Sequence, residues 1–443
     1  MSSTEPAPPG ASRPDPYAAW RIANYRFYAG SWFLMTIARQ IEFLAIGIYL
    51  YLYGSKKDLM ALGWQGLVMA LPAMLLAIPG GQLADRFDRR WVLATTLGLT
   101  GLGSAALGLA CAWQLPALWI YLLLIVNGVG NALGAPSRTA LLPWIVPADR
   151  FANAVAWSST AFHVATMVGP VAGGYMIWMF AGHGVPAALA SVVVLRWVSL
   201  VGVLLVPTRR PEQVRSSVSL ETLVAGIRFV WSHKPILATI SLDLFAVLLG
   251  GATFVLPAFA DQVLNYHDSM AAVAGYLRSA EAAGAIGMAI LLAHLPPIRH
   301  AGRTMLWAVA GFGAATVCLG LSRSIAPALL AMFALGALDN VSVVVRHTLI
   351  QMLTPDAMRG RVSAVNNVFI VASNELGGME SGVTAGLFGL VPSIIGGGIG
   401  AILVVLGCTA LWPQILKIGS LADLRPAEEA KVRQESDEEV AAR

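Results

Sequence analysis

Two stretches of this chain run without a formal charge far beyond what a soluble helix needs: Trp91 to Ser137, and Phe151 to Leu195 with His163 and His183 neutral. A helix crosses the hydrocarbon of a bilayer in about 20 residues, so each stretch suits two crossings joined by a turn. In hydrocarbon, backbone N–H and C=O groups must be satisfied within their own segment, which leaves helices for such a pattern. The remainder agrees: of 443 residues, 57% are hydrophobic and 12% charged. That is more apolar surface than a soluble core of this length hides. The fold class read from this is an all-α membrane protein.

Breaks between the apolar runs divide the chain into twelve predicted transmembrane helices, at about 27–53, 60–82, 91–112, 118–140, 153–181, 187–207, 235–260, 271–295, 304–321, 325–350, 362–390 and 392–416. The longest connection follows the sixth span and separates two six-helix bundles. The expected organisation is a disordered cytoplasmic arm over 1–26, a bundle over 27–207, a cytoplasmic linker over 208–234, a second bundle over 235–416 and a disordered tail over 417–443. The linker contains "SLETLVAGIRFVWSHK", which reads as an interfacial amphipathic helix.

An internal repeat supports the split. At an offset of 208 residues, "GVGNALGAPSRTALLPWIVP" from Gly128 lies over "GALDNVSVVVRHTLIQMLTP" from Gly336. Arg138 pairs with Arg346, Pro147 with Pro355, Gly169 with Gly377 and Gly174 with Gly382. Two duplicated, pseudo-symmetric halves explain this, and such halves are what transporters that rock around a central cavity look like.

Basic residues orient the chain. Of 29 Lys and Arg residues, only Lys56, Lys57 and Arg323 fall in the odd-numbered connections. The excess elsewhere predicts that both termini are cytoplasmic. Residues 1–19 do not read as a cleavable signal. Cys111, Cys318 and Cys408 sit in separate apolar runs and suggest neither a disulfide framework nor a metal site.

Certain motifs carry a family likeness. "GQLADRFDRRWVL", residues 81–93, resembles the major facilitator superfamily's loop between its second and third helices, through Gly81, Leu83, Asp85, Arg86, Arg89, Arg90 and Leu93. Asp88 stands where that motif has its second glycine. "MVGPVAGGY" in the fifth span is similar to the motif of the drug:proton antiporter branches through Gly169, Pro170, Gly173 and Gly174, with Ala165 in place of an earlier glycine. "PGGQLADRFDRR", "PSRTALLPWIVP" and "RGRVSAVNNVFIVASNELGGMESG" resemble the exporter subgroup that includes the enterobactin exporter and macrolide efflux proteins. The resemblance implies a twelve-helix major facilitator fold and a fifth helix that seals a cavity.

Positive-inside placement accounts for Arg86, Arg89 and Arg90 but leaves Asp85 unexplained. We expect Asp85 with Arg89 to form a latch that stabilises the outward-facing state, reaching a helix end of the other half or an arginine such as Arg138, worth about 1–3 kcal/mol. The competing reading is that these charges only set topology. For the four fifth-span residues, the competing reading is plain packing.

Ionisable groups at bilayer depth are costly and are the default functional candidates. Arg39 and Glu42 in the first span, and Arg278 and Glu281 in the eighth, are spaced i,i+3, so each pair could self-neutralise. Arg196, Asp243, Asp339, Arg346, Glu375 and Glu380 complete the set. Glu42, Asp339, Glu375 and Glu380 form the pool expected to contain a proton carrier, with Arg39, Arg196 and Arg278 as counter-charges or contacts for anionic cargo. Structural ion pairs are the alternative for each.

No G-x-x-x-x-G-K-[ST] loop, H-E-x-x-H or G-x-S-x-G occurs, so neither ATP as the energy source nor a membrane enzyme is indicated. The resulting expectation is a secondary transporter of a bacterial inner membrane, acting as a monomer without cofactor, metal or nucleic acid. It would export a bulky amphipathic molecule, a siderophore or drug, against protons. Uptake, lipid movement and a non-transporting sensor remain open as alternatives.

Overall fold

The computed structural model describes residues 15–54, 58–180, 182–207, 220–296 and 298–419. Most of the predicted arm and tail, Lys56 and Lys57, and the start of the linker lie outside the described residues. Among the described residues the chain is helical and contains no strand.

The first half comprises α1 (Ala23–Tyr49), α2 (Leu59–Leu75), α3 (Ala77–Arg86), α4 (Arg89–Ala112), α5 (Ala117–Ile145), α6 (Ala148–Met179) and α7 (Gly184–Leu204). The amphipathic α8 (Leu220–Ser232) follows, as the linker pattern predicts. The second half comprises α9 (Lys234–Gly250), α10 (Leu256–Gln262), α11 (Met270–His294), α12 (Ala301–Leu321), α13 (Ile325–Leu353), α14 (Asp356–Phe388) and α15 (Leu390–Leu411).

These elements correspond to the twelve predicted spans once α2 with α3, and α9 with α10, are each taken as one crossing. Among the described residues nine spans are long and apolar enough by themselves, and a tenth is α2 with α3 across a 50° bend. Pro72 and Pro79 flank that bend, where each removes a backbone donor. The other two, α6 and α14, run for 32 and 33 residues but carry more polar groups. Polarity on a spanning helix is tolerated where it faces protein or a cavity.

Alternation of crossings gives the bundle two ends. The near end holds the start of α1 and the end of α15; the far end holds the α1–α2, α4–α5, α6–α7, α10–α11, α12–α13 and α14–α15 connections. Arm residues just before α1 are anchored at the near end. Asn153 of α6 accepts from the Ala19 amide at 3.0 Å, Asn153 and Trp157 donate to the Pro16 carbonyl, and Tyr17 stacks on Trp157. The bundle therefore begins earlier than the predicted residue 27.

The two halves meet along two seams, α2 against α14 and α6 against α11. The repeat shows in them. Gly174 of α6 abuts the Ala271 carbonyl of α11, and its counterpart Gly382 of α14 abuts Gly63 of α2. Within each half the repeat shows again: Gly128 packs on Pro72 of α2, and its counterpart Gly336 packs on Glu281 of α11. Pro147 and Pro355 each immediately precede a helix, α6 and α14. The two contacts between halves, at Gly174 and Gly382, lie in the far part of the bundle, where the absence of side chains lets backbones approach closely. Towards the near end, α3 packs on α5 and α4 within its own half. The halves thus close on each other at the far end.

Candidate functional site

One carboxylate of the first half is enclosed by donors. Glu42 of α1 is 4% exposed. Its Oε1 accepts from Arg196 of α7 at 3.0 Å and from the Asn127 amide of α5 at 3.1 Å. Its Oε2 accepts from the Ser104 hydroxyl of α4. Arg196 also donates to the Thr100 carbonyl at 2.5 Å. Four helices converge on one buried ion pair, which ties the half together.

This corrects the expected Arg39–Glu42 pairing. Residues three apart on a helix point about 60° away from each other. Glu42 turns inward to α4 and α7, whereas Arg39 is exposed. Ser104 and Thr100 escaped sequence reading because hydroxyls within an apolar run look like packing residues.

The second half arranges its charges differently. Asp243 of α9 and Arg346 of α13 form an ion pair with side chains 7% and 3% exposed. The pair borders a cavity of about 130 Å³ whose walls include Glu281, Asp339, Thr253 and Asn374. All its lining residues come from the second half. Thr253 donates to Glu281 Oε2 at 3.5 Å. Asp339 makes no hydrogen bond or ion pair among the described residues. One paired arginine and two further carboxylates therefore share a small pocket.

A third group lies where the halves meet. The Arg278 guanidinium of α11 sits over the Phe43 ring of α1, 4.0 Å from its centroid, and reaches Gln40 Oε1 at 3.4 Å. Phe43 meets Phe254 edge-on with centroids 4.8 Å apart. The i,i+3 pairing of Arg278 with Glu281 is thus not a direct ion pair; cation–π stacking across the seam holds the guanidinium instead. Glu375 of α14 lies in the field of Arg39 and Arg278, and its Oε2 is buried without a hydrogen-bond partner among the described residues. Glu380 is apart from this group, about two turns from the far end of α14, where it accepts from Ser381.

The four residues of the fifth-span motif join three helices. Gly169 and Gly173 face Gln40 and Ile41 of α1, while Gly174 and the Pro170 carbonyl face Ala271 and Gly275 of α11. A side chain at any of the three glycines would press α6 against a neighbour.

The charged loop is anchored within the first half. Asp88 caps α4, accepting from the Arg90 amide at 2.9 Å. A capping carboxylate is how the chain turns where the motif's glycine is missing. Arg89 donates to the Ala140 carbonyl at 3.4 Å and stacks over Trp144. Arg90 donates to the Leu204 carbonyl and stacks over Trp91. Arg86 and Asp85 are exposed at the end of α3, and Asp85 has no hydrogen bond or ion pair among the described residues. Asp85 and Arg138 are not in contact in this far-closed conformer, the opposite of the one the latch is expected to stabilise: Arg138 stacks on Trp32, 3.7 Å from the ring centroid. Its repeat partner, Arg346, holds Asp243 instead, so duplicated arginines have diverged in partner.

The sequence model of the Major Facilitator Superfamily matches residues 31–378. The chain belongs to this superfamily. It is a multi-pass membrane transporter of a small molecule, not an enzyme. Among characterised superfamily members, the enterobactin exporter EntS of Shigella boydii serotype 18 (strain CDC 3083-94 / BS512) is 27% identical over 327 residues, covering 73% of this chain and 77% of the relative. EntS of Escherichia coli O81 (strain ED1a) matches with the same identity and coverage. Among solved structures, a bacterial homologue of the human lysosomal transporter Spinster, in an inward-facing and occupied conformation, superposes with a TM-score of 0.71 at 16% identity, over 91% of this chain and 99% of that one. A D-xylose–proton symporter gives 0.67 at 17% identity, over 90% and 99%. At these identities the structures share the superfamily fold.

Proposed function

We propose that the protein exports a bulky amphipathic molecule, a siderophore or a drug, across a bacterial inner membrane in exchange for protons, by alternating access. The near end is then cytoplasmic and the far end periplasmic. Closure of the halves at the far end makes this conformer the one that loads cargo from the cytoplasm. The likeness to enterobactin exporters supports an export role and an anionic siderophore as first cargo to test. Exposed Arg39, beside the Phe43, Phe254 and Arg278 group, offers such a cargo a cation and an aromatic wall.

The observation that carries proton coupling is the second-half cavity, where Glu281 and Asp339 share walls with an arginine already paired to Asp243. Two ionised carboxylates in one low-dielectric pocket repel, and a proton on either relieves this. Glu281 and Asp339 are therefore the proposed carriers, with Glu375 as the contact to the cargo region. Glu42 leaves the pool, because Arg196, Asn127 and Ser104 hold its charge in place.

Reconstituted protein in liposomes tests this, with a catecholate siderophore, a macrolide and a cationic dye as probes under an imposed proton gradient. Asp339→Asn and Glu281→Gln should each cut gradient-driven transport at least about 10-fold while cargo exchange without a gradient persists. Gradient-driven transport at the parent rate in both variants refutes the assignment. Net movement only into the cytoplasmic compartment would favour uptake.

A further inference from the structure

The glycine seams that close the far end are packing contacts, soft in direction and indifferent to charge. One contact there is of another kind. Tyr51, fully buried, lies in the single π-helical turn Leu50–Gly54 that continues α1 in the first half. Its hydroxyl donates to Asp261 Oδ2 at 2.6 Å, across to α10 of the second half. Asp261 is 2% exposed. Gln262 Nε2 donates to the same Tyr51 oxygen at 3.0 Å. His267, in the turn between α10 and α11, places Nδ1 at 2.6 Å from Asp261 Oδ1. Its ring is 64% exposed and so faces the aqueous side of the far end.

We propose that Tyr51 and Asp261 form the far-end gate latch, with Gln262 and His267 as positioning residues that aim its two partners. The inference is independent of cargo and of the ion that drives transport. Hydrogen bonds to a charged acceptor are about twice as strong as neutral ones, and directional. Separating the halves at this end pulls the phenol from the carboxylate and breaks this bond, so the bond stabilises only the far-closed conformer. A contact present in one of two states shifts their ratio by its full differential free energy. The His267 ring, bonded to the oxygen that Tyr51 leaves, keeps the carboxylate from rotating away.

The test uses the full chain in lipid nanodiscs, with Cys111, Cys318 and Cys408 replaced by Ser. Spin labels go on Trp113→Cys and Ser324→Cys, two exposed far-end positions on opposite halves. Distance distributions then report far-closed and far-open populations. Tyr51→Phe, which removes one oxygen and no volume, should raise the open-to-closed ratio about 10-fold, and Asp261→Asn by a similar factor. His267→Ala should raise it about 3-fold. Tyr51→Phe and Asp261→Asn remove the two ends of one bond, so the double variant should move the ratio by clearly less than the product of the two single changes. Unchanged distributions in Tyr51→Phe, in a sample as monodisperse as the parent, overturn the proposal, as do independent, multiplying effects of the two substitutions.

Discussion

Glu42 and Arg196 illustrate how a charge becomes structural inside a membrane protein. Every donor around Glu42 comes from a different helix, so removing its charge strands a buried guanidinium that nothing else neutralises. Glu42→Gln should therefore lower unfolding free energy by about 3–5 kcal/mol, read as a fall in thermal midpoint in detergent. Adding Arg196→Met should recover part of the loss, because no unpaired cation then remains. Side-chain identities in this region were readable from the chain, but their partners were not. Spacing suggested that Glu42 meets Arg39 and Arg278 meets Glu281; in space, contacts from other helices win, through Ser104, Asn127 and Phe43. Tyr51, Asp261 and His267 gave no signal at all, since residues 51 and 261 lie 210 positions apart in different halves and meet only in the fold.

Most of the helices were foreseeable because hydrocarbon permits so few alternatives. The twelve crossings follow from apolar length, and the offset between Gly174 and Gly382 already implied equivalent roles. What the pattern left out was which neighbours these glycines face: each touches the opposite half, because α6 and α14 are the helices that bridge the seams. Gly174→Val should force α6 away from the Ala271 carbonyl, and transport should fall at least about 10-fold with the fold retained. Gly407→Val on α15, where a side chain meets open space, serves as the control and should transport like the parent. Equal loss in both would mean that the seam position is not special. At the α3–α4 turn, Asp88 departs from the family motif, yet it supplies a helix cap that the glycine could not. The departure is compensated locally.

For the whole molecule, the contacts that matter to assembly run through the two seams. Co-expressed fragments 1–207 and 220–443 should therefore associate in the membrane and restore transport, whereas either fragment alone should transport nothing. Co-purification of the pair and a liposome flux assay check this; fragments that fail to associate would show that the covalent connection is essential. The organisation into two bundles was legible from the repeat, but the allocation of tasks between them was not, because composition does not say which carboxylates are enclosed and which have room. The first half spends its buried acid on rigidity. In the second, the cavity beside Asp243 and Arg346 is walled by that half alone. If, as proposed, a proton is taken up there, it is carried like a passenger inside one rocking arm: it boards from one aqueous phase and alights in the other without ever having to jump across the moving joint.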